Sequence, residues 1–113
     1  MRHSLVLLAS SLATVVVAAG CGGGSGSSEP VATTEVAMAK SYRFDPQTIE
    51  IEAGNRVTWT NEDNFTHTVQ VDGQDDHKVE RGKSVSLTFD KPGTYHYTCT
   101  LHSRDMQGEV IVK

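Results

Sequence analysis

Between Val36 and Val112 the apolar residues recur at alternate positions in short runs, and the runs are separated by turn signals. Ser84-Val-Ser-Leu-Thr-Phe89 is the cleanest of them, and Thr94-Tyr-His-Tyr-Thr-Cys99 follows across Lys91-Pro92-Gly93. Val36 and Met38, Ile49 and Ile51, Val57 and Trp59, Val69 and Val71, and Val110 and Val112 repeat the pattern. Ala53-Gly54-Asn55, Asp72-Gly73 and Arg81-Gly82-Lys83 provide further turns. A period of two is the signature of strands with one face buried. No helical stripe interrupts it. The spacing therefore predicts an all-β domain, a small antiparallel Greek-key sandwich or barrel of about seven to eight strands. Gln74–Glu80 is polar and reads as irregular.

The 113 residues allow one domain. The chain before it has a different composition. Arg2 and His3 precede an uncharged run from Leu5 to Ala19, too short for a comfortable membrane span but suited to the apolar part of a signal peptide. Ala18-Ala19-Gly20-Cys21 ends it, with a cysteine directly after small residues, as in a bacterial lipoprotein signal. The expected organisation is a signal peptide over 1–20, a lipidated Cys21 with a Gly/Ser linker over 21–29, and the folded domain over 30–113. Such a protein would be exported and lipid-anchored at the outer face of the cytoplasmic membrane or in the periplasm. Removing Arg2 with the leader leaves nine basic residues against fourteen acidic ones. With no basic run, nucleic acid is excluded as a partner class.

Acylation of Cys21 would leave Cys99 without a disulfide partner. Strand parity gives that thiol a direction. Tyr95, Tyr97 and Cys99 share one face, and His67 shares its own face with Val69 and Val71. Both Cys99 and His67 thus point inward at strand ends, while His96 points outward. His102 and Met106 follow Cys99 in the next loop. Thiolate, imidazole and thioether together suit copper, held by His67, Cys99, His102 and Met106. Taken singly, each of these residues is an ordinary core residue. Zinc also accepts Cys and His ligands, though copper(II) binds more tightly at equal supply. A nucleophilic triad of Cys99, His67 and Asp63 is a further arrangement, but no oxyanion pattern accompanies it. His77, in the acidic stretch Asp72–His77, reads as a solvated residue. Asn64-Phe-Thr66 matches a glycosylation sequon, which is incidental in a bacterial lipoprotein.

The domain resembles the plastocyanin/pseudoazurin/amicyanin branch of the cupredoxins, the type 1 blue copper proteins. The resemblance is carried by Phe44-Asp-Pro46, Ala53-Gly54-Asn-Arg-Val57-Thr-Trp59-Thr-Asn61, His67-Thr-Val69, Phe89 and Pro92-Gly93-Thr-Tyr95-His-Tyr97-Thr-Cys99. Cys99-x-x-His102…Met106-x-Gly108-x-Val110-x-Val112 completes it. It implies one copper ion cycling between Cu(I) and Cu(II), bound by the same four residues. It also implies a hydrogen bond from the Thr68 amide to the Cys99 sulfur, and a partly exposed His102 as the exit for electrons. Three residues separate His102 from Met106, where relatives commonly have two or four. Reduction potential and spectral type therefore do not transfer.

The resemblance implies a monomeric one-electron carrier, not an enzyme, working between membrane-associated redox partners such as a cytochrome or an oxidase. Phe65 and Leu101, beside ligand positions, are expected to form an apolar docking patch around His102. Copper storage, delivery or sensing is the alternative, and the absence of Met-rich or His-rich stretches counts against it.

Overall fold

The computed structural model describes residues 29–113, which form ten strands and no helix. The strands are β1 (Val31–Ala32), β2 (Glu35–Ala39), β3 (Arg43–Asp45), β4 (Thr48–Ile51) and β5 (Arg56–Asn61), then β6 (His67–Val71), β7 (Asp76–Val79), β8 (Ser84–Thr88), β9 (Gly93–Thr98) and β10 (Gln107–Val112). They build a six-stranded sheet in the order β1-β4-β10-β9-β6-β7 and a four-stranded sheet in the order β3-β2-β5-β8. The inner faces carry the alternating apolar residues, with Val36, Met38, Ile49, Val57, Trp59, Val69, Val71 and Val110 all buried. Each such side chain withdrawn from water contributes about 1.5–3 kcal/mol before the entropy of ordering the chain is set against it.

The expected sandwich is present, with ten strands in place of the seven to eight expected and with two further differences. β4 runs parallel to both β1 and β10, and β2 runs parallel to β5, so the sheets are mixed. Alternation specifies which face of a strand is buried, and it is silent on the direction of the neighbour. The second difference lies in the polar stretch expected to be irregular, where β7 pairs antiparallel with β6. β7 is an edge strand, and Val79 is its one buried anchor. Charged residues suit an edge because they blunt pairing with other chains.

A series of aromatic rings crosses the core. Phe44 meets Tyr97 at 4.7 Å between centroids, Tyr97 meets Trp59 at 5.2 Å, and Trp59 meets Phe89 at 6.3 Å. Burial drives the Tyr97 phenol well above its ordinary pKa, the Trp59 side chain offsetting part of the rise. Neither Trp59 Nε1 nor Tyr97 Oη has a partner that meets hydrogen-bond geometry. Tyr97 also explains Gly108. A Cβ at that position would lie 2.4 Å from the phenol ring and 2.7 Å from the Gln47 carbonyl oxygen. The glycine lets β10 pass directly over the ring and begin immediately after Met106.

The signal peptide, Cys21 and almost all of the linker inferred from sequence lie outside the described residues.

Candidate metal centre

The starts of β6 and β10 and the end of β9 meet at one end of the sandwich. β9 and β10 are antiparallel with Thr98 opposite Gln107, so the segment between them is a hairpin connection. Its backbone is closed on itself. The Cys99 amide donates to the Met106 carbonyl at 3.0 Å, and the His102 amide donates to the Cys99 carbonyl at 3.1 Å. The amides of Asp105 and Met106 both donate to the His102 carbonyl, at 3.0 and 2.9 Å. The three-residue spacer is thus taken up as a single helix-like turn that returns Met106 to the core, where it is fully buried.

His67, the first residue of β6, is also fully buried. Its orientation is set by the preceding loop. Asn61 donates from Nδ2 to the carbonyls of Phe65 (2.7 Å) and Val79 (2.9 Å), and its Oδ1 accepts the Asp63 amide at 2.9 Å. Asp63 so positioned lies 2.9 Å from His67 Nε2. A carboxylate only accepts, so Nε2 carries the ring proton and Nδ1 keeps its lone pair. The hydrogen bond from His67 holds the Asp63 carboxyl below its ordinary pKa, outweighing the cost of its burial, and the Asn64 amide adds to it.

His67 Nδ1 faces the Cys99 sulfur at 3.8 Å. Cys99 is a free thiol with no exposure. The Thr68 amide donates to that sulfur at 3.3 Å, the contact the resemblance implied, and the Thr68 hydroxyl lies 3.7 Å from it. The inward parity expected of His67 and Cys99 is therefore observed, and His96 points away, between Asp72 and Gln107.

His102 stands differently. It is half-buried, with its ring 5.5 Å from that of His67. Among the described residues no three His, Cys, Asp or Glu side chains gather into one ligand cluster. The structure brings His67 and Cys99 into contact, sets Met106 in the same core, and places His102 across from them. Tyr42 leans on His102 with ring centroids 4.3 Å apart, stacks with Phe65 at 6.0 Å and meets His67 edge-on at 6.0 Å. Tyr42 and Ser41 both have positive φ, 55° and 72°. A bulky residue in that region is strained by about 1–3 kcal/mol, a cost tolerated where the surroundings over-determine it. Here the strained turn between β2 and β3 delivers the Tyr42 ring to the rim.

Sequence reasoning missed Tyr42. Its one signal was shared parity with Phe44, two residues on in the same inward register. Asp63 was noticed only as a member of a conceivable catalytic triad. The three residues do line up, but Cys99 is sealed from solvent, and a nucleophile must reach its substrate.

The donor set fits a soft metal: a buried thiol, an imidazole with its free nitrogen turned to the sulfur, and a buried thioether close by in sequence. Residues 7–112 match the Cupredoxin-like domain family. Amicyanin-alpha of Methylorubrum extorquens is 37% identical over 91 residues, covering 74% of this chain and 75% of its own length. A plastocyanin of Scenedesmus fuscus is 32% identical over 84 residues, 62% of this chain and 86% of its own. Among solved structures, an oxidized amicyanin mutant superposes with a TM-score of 0.64 at 31% identity, over 70% of this chain and 80% of that one. The chain belongs to the cupredoxins, the family of blue copper electron-transfer proteins, and its cofactor is a single copper ion.

Proposed function

We propose that His67, Cys99, His102 and Met106 hold the copper ion, and that the protein carries single electrons between membrane-associated redox partners without acting as an enzyme. The observation that carries this reading is the pairing of His67 with Cys99. Asp63 accepts a hydrogen bond from Nε2–H, and the free Nδ1 faces the sulfur at 3.8 Å. Bound copper supplies a one-electron redox couple that a thiolate, two imidazoles and a thioether tolerate in both oxidation states.

The protein groups contribute position and exclusion of water. Asp63 fixes the tautomer and tilt of His67, as a carboxylate behind a ligand histidine does. The Thr68 amide holds the sulfur in place with a hydrogen bond of 3.3 Å. Cys99, Met106 and His67 have no contact with solvent. His102 is the ligand at the surface. Phe65 and Leu101, each 56% exposed, frame it as the apolar surface on which a partner would rest. A cytochrome or an oxidase is the class of partner expected, and a lipid on Cys21 would keep the domain beside it.

Loading the purified domain with Cu(II) tests the assignment by absorption and EPR spectroscopy. An intense thiolate-to-copper band, absent in Cys99→Ala and altered in His67→Ala, is the expected result. A colourless, redox-silent complex would sink it. Electron self-exchange compared with copper release to a chelator separates a carrier of electrons from a carrier of copper. Rapid exchange with retention of the metal is expected.

A further inference from the structure

A line of hydrogen bonds leads from the surface to the Cys99 sulfur and ends on a carboxylate that no ligand touches. The Thr100 hydroxyl donates to Asp76 Oδ2 at 2.6 Å. The hydroxyls of Thr100 and Thr68 lie 2.9 Å apart, and the Thr68 oxygen also accepts the Thr100 amide at 2.7 Å. The Thr68 hydroxyl is in turn 3.7 Å from the sulfur. β7 places Asp76 opposite Gln70 of β6, and Gln70 lies opposite Thr98 of β9, so the line links β7, β6 and the residue two beyond the end of β9.

Counting protons fixes the direction of the line. A carboxylate has none to give, and each threonine hydroxyl has one. Thr100 gives its proton to Asp76, so in the contact between the two threonines Thr100 accepts and Thr68 donates. The one hydroxyl proton of Thr68 is thereby drawn toward Thr100 and away from the sulfur. Cys99 then receives a single well-placed hydrogen bond, the Thr68 amide at 3.3 Å. Without the carboxylate, Thr100 is free to donate to Thr68, and the Thr68 proton turns to the sulfur as a second bond.

We propose that Asp76 is a positioning residue which, through Thr100 and Thr68, sets the number of hydrogen bonds on the Cys99 sulfur and so holds the reduction potential of the site down. Hydrogen bonding at this sulfur is among the determinants of potential in such centres. Each added donor withdraws charge from the thiolate and favours the reduced metal. The inference rests on Cys99 being a copper ligand, as proposed above.

The test is a double-mutant cycle on the copper-loaded protein, using two exposed positions. Asp76→Ala and Thr100→Ala should each raise the potential and move the thiolate-to-copper band to higher energy. Combining them should add nothing, because either change frees the same Thr68 proton. Were Asp76 only a nearby charge, Thr100→Ala would leave the potential unchanged and the Asp76→Ala shift would persist undiminished in its background. Either of those results overturns the proposal. NMR of the copper-free protein gives a readout independent of the metal. The Thr100 hydroxyl proton should be protected from exchange in the parent and lost in Asp76→Ala, and its absence in the parent also refutes the line. A protein that shows no charge-transfer band at all fails the copper assignment instead, and the two failures are distinguishable.

Discussion

His67 and His102 face each other across 5.5 Å, yet the chain holds them by opposite means. His67 begins an inner strand, is fully buried, and is fixed at Nε2 by the Asp63 carboxylate, which accepts the Asn64 amide while Asn61 Oδ1 accepts the Asp63 amide. His102 sits in a hairpin connection, is half-buried, and rests against the Tyr42 ring. One half of the site is determined by strand register and buried polar bonds. The other half is determined by a tight backbone turn and by ring packing at the rim. Buried, hydrogen-bonded groups are costly to disturb, whereas exposed ones are cheap. The strand half should therefore carry stability, and the rim half should be adjustable at little cost.

The largest effect should come from β10, the strand that follows the rim turn and packs over Tyr97. Gly108→Ala places a Cβ 2.4 Å from Tyr97 and 2.7 Å from the Gln47 carbonyl. Overpacking of this kind costs about 1–3 kcal/mol, and more where backbone has to move. Adding Tyr97→Phe should not restore stability, because the Gln47 carbonyl and the ring carbon both remain. Full rescue in thermal denaturation would show that the phenol hydroxyl was the sole obstacle.

Asp63→Ala comes next, at about 1–3 kcal/mol, because it strands the buried Nε2–H of His67. Asp63 also gives a pH signature in the copper-free protein. Its pKa is lowered on folding from an ordinary value of 3.8. Its contribution is therefore complete above that value and lost as pH falls through the lowered one. The acid limb of the stability curve should flatten in Asp63→Asn. An unchanged limb would place the acid sensitivity elsewhere.

At the rim, Tyr42→Ala should cost only about 0.5–1.5 kcal/mol, the worth of an aromatic contact. Tyr42→Gly should recover part of that, since glycine takes a positive φ without strain. The more telling readout is the His102 ring, whose NMR signals should broaden in both variants far more than those of His67, which Tyr42 meets only edge-on at 6.0 Å. Equal broadening at the two rings would mean that the two halves are not independent. Smallest of all, Phe65→Ser and Leu101→Ser should leave stability within about 0.5 kcal/mol. They should nevertheless slow electron transfer to a partner, measured by stopped-flow mixing with a cytochrome. An unchanged rate would remove these residues from the docking surface.

The same division explains what was legible in the sequence. Alternation around Tyr97 and Val69 placed Cys99 and His67 in the core, because strand parity is a local property. The hydrogen bond from Thr68 to Cys99 followed from matching a pattern of residues. Tyr42 was not legible, since its role depends on a strained turn from a different sheet arriving over His102. Nor was β7, whose single buried anchor, Val79, is too little to set a period. The Asp63–His67 bond was half visible: the residues were noted together, but only the locked Asn61 loop shows what the pair does. Contacts across sheets and loops are set by topology, and parallel pairings such as β4 with β10 leave no trace in alternation.

β1 runs parallel to β4, and β4 to β10, so all three strands start toward the end where Met106 lies. At Val31 the chain is therefore travelling away from the end where Met106 lies. A partner settling over His102 would share that end with the start of β1. Bulk added at Val31 would therefore crowd that approach, whereas bulk added at Val112, where β10 ends on the opposite side, would leave it clear.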